Sequence, residues 1–148
     1  MLPDYGRYYG NVFTQIVDGL GRPVSIQKLD LGVQGFYLVD TKVPIFIKFC
    51  RNRKSPWAFN FQRDHQLAYK SVIESYGKCI TVLVCGADGI AALSHEQLRE
   101  VLDDDFGEQE ALAVRRKLNQ MYSINGTDGE LARKVARDSL LVLLNTAA

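Results

Sequence analysis

The stretch CITVLVCG, residues 79–86, is an unbroken apolar run rich in β-branched residues, set between Gly77 and the turn-forming ADG. A strand with one wet face would alternate apolar and polar residues, so a continuous run of this length reads as a central strand covered on both faces. Helical patterns on either side of it in the chain supply the cover. The expectation is an α/β fold, a three-layer-like sandwich around a mixed sheet. The 148 residues fit a single domain, 1–148, which at that length buries roughly two thirds of the surface its unfolded chain exposes.

The rest of the pattern places the other elements. Residues 8–20 set Tyr9, Val12, Phe13, Ile16, Val17 and Leu20 at helical spacing, and Gly19, Gly21 and Pro23 end that helix. Three β-type stretches follow at 24–29, 35–40 and 43–50, the last two forming a hairpin. In the third, Ile45, Ile47 and Phe49 share one face while Phe46, Lys48 and Cys50 share the other, so Lys48 is the odd member of an apolar face. A helix is expected over 61–76, with Phe61, His65, Leu67, Ala68, Val72, Ile73 and Tyr76 inward, Asn60 as N-cap, Asp64 in the first turn and Gly77 as C-cap. IAAL after the ADG turn is a short strand, and Ser94 with Gln97 forms a capping box before a helix. The core is thus 8–93, in the order helix-strand-strand-strand-helix-strand. Residues 94–148 extend it. Within them 119–131 reads as a strand and hairpin turn, and LARKVARDSLLVLL as either a closing helix or a strand.

Composition excludes several classes. A hydrophobic fraction of 47% with 24% charged residues is ordinary for a globular chain, and the net charge of +1 gives no overall attraction to nucleic acid or to an anionic membrane. Any electrostatic steering is therefore local. Cys50, Cys79 and Cys85 are an odd set with no CxxC pair and read as reduced thiols, which points to the cytoplasm. The first residues, MLPDYGRYYGN, lack the basic end and apolar run of a signal peptide, and no apolar stretch reaches the length of a membrane span.

Local charge is concentrated at 51–63. Arg51, Arg53, Lys54 and Arg63 fall at a strand-to-helix junction beside Ser55, a combination that holds phosphate or carboxylate by charge and directed donors. Trp57 and Phe59, if exposed, add a stacking surface of the kind used for single-stranded nucleic acid. If buried, Trp57, Phe59 and Phe61 plug the core beneath a Pro56 turn and the cations are a solvated face. His65 reads as a packing histidine beside Asp64, His95 as exposed, and Cys85 as core.

The element order of the first 90 or so residues resembles that of restriction-endonuclease-like, PD-(D/E)XK-type, nucleases. In that family an Asp ends the second core strand, and the third carries an acid, any residue, then Lys. Asp40 and Lys48 match those positions and Phe46 does not, so the pattern is degenerate. The resemblance implies that Mg²⁺ or Mn²⁺ would be held by Asp40 together with a carboxylate moved to the next helix, Asp64, with Lys48 stabilising developing charge. Asp18 corresponds to the family's acid on the first helix. The chain is also similar to a group of uncharacterised small bacterial proteins sharing IK…RKSPW.F.F….HQ and then VCG.DGI..LS, which here are Ile47-Lys48, Arg53 to Trp57, Phe59, Phe61, His65-Gln66, Val84 to Gly86, Asp88 to Ile90 and Leu93-Ser94.

Three functions follow as expectations. The first is a small prokaryotic protein with a nuclease-like fold, non-catalytic and without a cofactor, that binds an anionic partner, nucleic acid foremost, through Arg51, Arg53, Lys54, Trp57 and Arg63. The second is an active Mg²⁺- or Mn²⁺-dependent nuclease using Asp40, Lys48 and Asp64. The third is a regulator or inhibitor that docks on a protein, with the apolar LLVLL near the C-terminus serving that partner or a homodimer. None of the three involves a membrane.

Overall fold

The computed structural model describes residues 2–103 and 109–146. Its elements run α1 (Asp4–Leu20), β1 (Ile26–Lys28), β2 (Phe36–Val39), β3 (Val43–Cys50), β4 (Trp57–Phe61), α2 (Arg63–Tyr76), β5 (Ile80–Cys85), β6 (Gly89–Leu93), α3 (His95–Val101), β7 (Glu110–Arg115), β8 (Ser123–Gly126), β9 (Gly129–Glu130) and α4 (Ser139–Thr146). The fold is an α/β sandwich with two sheets. One is mixed, in the order β1-β2-β3-β5-β6, and the other is antiparallel, β4-β7-β8-β9.

The apolar run at 80–85 is β5, buried at every position, between a parallel neighbour β3 and an antiparallel neighbour β6. Its two faces meet separate cores. Val82 and Val84 pack with Ile45 and Ile47 of β3 against Val12 and Ile16 of α1 and Leu140 and Leu144 of α4. Leu83 and Cys85 face the other way, with Phe46, into the layer of α2, α3 and the second sheet. A three-layer stack follows directly from a strand apolar on both sides.

Three elements differ from the sequence reading. WAFNF is a strand, β4, in which Trp57, Phe59 and Phe61 are buried and Ala58 and Asn60 exposed. This period-two alternation pairs with β7 from Trp57↔Val114 to Phe61↔Glu110. Phe61 therefore closes a strand, and the N-cap of α2 is Gln62, not Asn60. On α2 the inward residues include Gln66 and Tyr69, while Leu67 and Tyr76 are exposed, because the helix packs over β3 and β5 one position round from the expected stripe. Finally, residues beyond 94 are not an appendage. β7 supplies the partner of β4, and α4 lies against β6, where Ser139 Oγ accepts from Ala92 N at 2.9 Å. LLVLL is helical, and Leu140 and Leu144 fill the chain's own core. The Ser94–Gln97 capping box and the Gly77 cap, at φ 75°, form as read.

The β5–β6 turn is tied to the second sheet by one carboxylate. Asp88 accepts from Arg116 at 2.9 and 2.7 Å and from the Tyr122 hydroxyl at 2.8 Å, and it pairs with Arg137 at 3.2 Å. Arg116 follows β7, Tyr122 precedes β8 and Arg137 precedes α4. The Arg116 hydrogen bonds outweigh burial and, with Tyr122 and Arg137, hold the Asp88 carboxyl down at about 2, against an ordinary 3.8. A carboxylate depressed in this way contributes its full stability above its unfolded value and loses it as pH falls through the folded one. Asp88→Asn is expected to lower stability in urea at pH 7 by about 2 kcal/mol. It also removes the part of the acid destabilisation that the parent shows from about pH 4 down toward about pH 2. An unchanged urea midpoint in the variant would contradict this role.

Candidate functional site

Parallel β3 and β5 end side by side, Cys50 opposite Cys85. Ligands of sheets with parallel strands gather beyond such carboxyl ends, where the connecting loops open. Loop 51–56 leaves β3 there and turn 86–88 leaves β5. Gly86, at φ 54°, lets the two run in contact: its N–H donates to the Cys50 carbonyl at 2.9 Å, and a Cβ would overlap the Asn52 carbonyl oxygen. That same oxygen accepts from Trp57 Nε1 at 2.9 Å, which braces the loop on the core.

From this braced loop Arg51 and Arg53 line a cleft of about 290 Å³ with Arg7, Tyr8 and Asn11 of α1 and with Gly86 and Ala87. Phe49 at the end of β3 stacks on Tyr8 at 4.6 Å, joining helix to strand below the arginines. Arg7 lies over the Tyr8 ring at 5.1 Å and Arg51 over Phe49 at 5.4 Å. The ion pair of Arg51 with Asp4, 3.2 Å, is between side chains more than 60% exposed, so it yields readily to a competing anion. The cleft presents three guanidinium groups and an amide side chain, a donor set matched to phosphate or carboxylate oxygens.

A second notch lies at the open edge of β3, where β2 has ended. It measures about 210 Å³ and is lined by Tyr9, Gln34, Phe46, Ile47, Lys48, Phe49 and His65. Lys48 Nζ lies 3.1 Å from His65 Nδ1 and over the rings of Phe61 and Phe46, at 4.8 and 5.5 Å. An ammonium can only donate, so a charged Lys48 fixes His65 as the Nε2–H tautomer. Burial pulls Lys48 down to about 8, with Asp64 drawing it partly back up. Burial and then the Lys48 charge lower His65 as well. The pair can donate or relay a proton near neutral pH; it offers no carboxylate pair for a metal.

The expected metal ligands do not meet. Asp40 and Thr41, both at positive φ, are the two central residues of the β2–β3 hairpin turn, closed by Lys42 N–H to Val39 O at 3.0 Å. Asp40 accepts from Ser25 N–H at 3.2 Å, pairs with Arg22 at 2.9 Å and lines a separate cavity of about 320 Å³. Desolvation pushes its carboxyl up more than any one neighbour pulls it down, but the Ser25 and Arg22 hydrogen bonds with the Arg22 and Lys42 charges together hold it below the ordinary value. Lys48, with Asp64 acting on it, stands five residues past Val43, about 16 Å along an extended strand. Asp40 and Asp64 thus belong to opposite ends of β3 and cannot share one ion. Asp18 is exposed on α1.

Of the basic cluster, Arg51 and Arg53 enter the cleft, while Lys54 and Arg63 are exposed and do not line it. Trp57 and Phe59 are 2% and 1% exposed, so neither offers a stacking surface; both belong to β4, which pairs edge to edge with β7. His95 is half-buried rather than exposed, with Nδ1 2.9 Å from the Tyr69 hydroxyl. Sequence reasoning missed Arg7 and Asn11, one helical turn apart on α1, and Tyr9 and Gln34 in the notch. A basic residue on a helix 44 positions before Arg51 carries no local signal.

No family model, curated protein or solved structure matches the chain.

Lys48→Met tests the notch. The parent's stability is expected to rise from about pH 8 to about pH 10.5, because the folded lysine releases its proton before the unfolded one does. That rise is expected to vanish in the variant, which at pH 7 gains about 1–3 kcal/mol from losing a buried ammonium. The same alkaline rise in both proteins would show that Lys48 is not the group concerned.

Proposed function

We propose that this chain is a phosphate-binding α/β protein, cytoplasmic and prokaryotic, whose anionic partner is nucleic acid. In this reading it is a nuclease-like core without metal-dependent cleavage. The observation that carries the reading is the convergence of Arg7, Arg51 and Arg53 on one cleft beyond the carboxyl ends of β3 and β5. Arginine is suited to the task, since its planar fork engages phosphate oxygens in pairs. Arg53 has no ion-pair partner among the described residues, and Arg51 has only the exposed Asp4. With Trp57 and Phe59 buried, recognition runs through the phosphate backbone and not through stacked bases, so binding is salt-sensitive and weakly dependent on sequence. Lys48 remains from the resemblance as a cation in the separate notch at the β3 edge, and the placement of Asp40 at the far hairpin is why no cleavage is expected.

Fluorescent single- and double-stranded DNA and RNA test the proposal at two or more salt concentrations, beside a cleavage assay with Mg²⁺ and Mn²⁺. Arg7→Glu and Arg53→Glu are expected to weaken binding at least tenfold, and each lost arginine contact to flatten the log–log salt slope by about 1. Lys54→Glu and Arg63→Glu are expected to change affinity less than threefold. Equal affinity in the parent and in Arg53→Glu would remove the proposal, and cleavage abolished by Asp40→Ala would replace it with the metal nuclease.

A further inference from the structure

On residues that take no part in the arginine cleft, three carboxylates from separate points of the chain come together. Asp103 follows α3, Glu110 opens β7 and Asp128 lies in the β8–β9 turn, each offering one oxygen within 4.8 Å of the others. Among the described residues this is the one group of three acidic, histidine or cysteine side chains that meets this spacing.

Backbone contacts hold these residues where they are. Asp128 N–H donates to the Val101 carbonyl at 3.0 Å, and Asp103 N–H donates to Asp128 Oδ2 at 2.9 Å. Thr127 N–H donates to the Ala111 carbonyl at 2.9 Å, while Ala111 N–H donates to Thr127 Oγ1 at 3.0 Å. The hairpin can lie this close to α3 because Gly126 and Gly129 have no Cβ to strike the Val101 and Glu100 carbonyls.

Glu110 gives an independent pointer to a ligand. Its side chain faces the other two acids from a residue only 7% exposed, and its Oε2 is buried with no hydrogen-bond partner. A buried carboxylate oxygen without a donor is costly, and here it sits beside two further acids. A bound cation is the partner that satisfies all three at once. Two oxygens on one ion at 2.3–2.6 Å are separated by at most roughly 5 Å, so the spacing suits a single ion of that size.

We propose that Asp103, Glu110 and Asp128 form a binding site for one hard divalent cation, Ca²⁺ or the chemically similar Mn²⁺ or Mg²⁺, that clamps α3 to the second sheet. The donors are all oxygen, which selects against softer ions that favour imidazole or thiolate. The site does not depend on the phosphate-binding proposal, and it lies on residues other than Asp40 and Asp64.

The test is calorimetric titration of the full chain, freed of metal with chelator, with Ca²⁺, Mn²⁺ and Mg²⁺ separately at one fixed pH, beside thermal melts. One ion per chain is expected, with Tm raised by roughly 5–10 °C at a hundredfold excess over Kd. Glu110→Gln and Asp103→Asn are expected to keep the fold and lose at least tenfold in affinity together with the Tm rise. Asp40→Ala is expected to keep both. If no cation binds, or if Glu110→Gln and Asp103→Asn both bind as the parent does, the proposal fails. A Glu110→Gln protein more stable than the metal-free parent, with no cation effect in either, would show instead that the three acids merely share a proton.

Discussion

The parallel pairing of β3 with β5 decides where everything else goes. Antiparallel neighbours return to opposite ends of a sheet, whereas two parallel strands must both stop at the same end and leave through separate loops. Here those loops are 51–56 and 86–88, and a single glycine at positive φ lets them touch. Because β3 is covered by α1 on one face, the arginine of the first helix comes to the same edge as the arginines of the loop. The cleft is thus a product of topology. No contiguous segment encodes it.

A second constraint keeps that edge fixed. Asp88, two residues beyond Gly86 in the same turn, is gripped by Arg116, Tyr122 and Arg137 from three later segments. Charge-assisted hydrogen bonds of this kind are short and directional, so they set the position of the turn as well as contributing stability. Within the second sheet β7 pairs with β4, whose Trp57 and Phe59 are buried and follow directly on the basic loop. The C-terminal third therefore supports the cleft from below while supplying none of the residues that line it. The same third carries the carboxylate cluster, which stands on its own hairpin against α3.

Local patterns were legible in the sequence in proportion to how little they depended on distant partners. The apolar run at 80–85 needed only its own composition, and the Ser94 capping box and the Gly77 cap needed only four or five neighbouring residues. β4 was missed although WAFNF alternates cleanly, because Phe61 after a proline and a charge cluster also fits the start of the helical stripe that follows. Only the pairing with β7, 49 to 57 positions away, separates the two readings. Asp40 and Lys48 stand eight positions apart in sequence and resemble a familiar pair, yet an extended strand carries them to opposite ends of the sheet. Of the basic cluster, Arg51 and Arg53 reach the cleft because they share a loop with the strand end, while Lys54 and Arg63 do not line it. Asp103, Glu110 and Asp128 span 25 positions of a region with weak periodicity, so their meeting belongs to tertiary structure alone.

In the proposed function one edge of the mixed sheet, and not the basic surface at large, receives the anionic partner. Amide chemical-shift mapping during titration with a short single-stranded oligonucleotide tests it most directly, since it reports location independently of affinity. The largest changes are expected at Arg7 to Asn11, Arg51 to Arg53 and Gly86 to Ala87, with the amides of Arg63 and of the Asp40 hairpin unmoved. Changes centred on Arg63 and the exposed side of α2, or spread evenly over the surface, would contradict it.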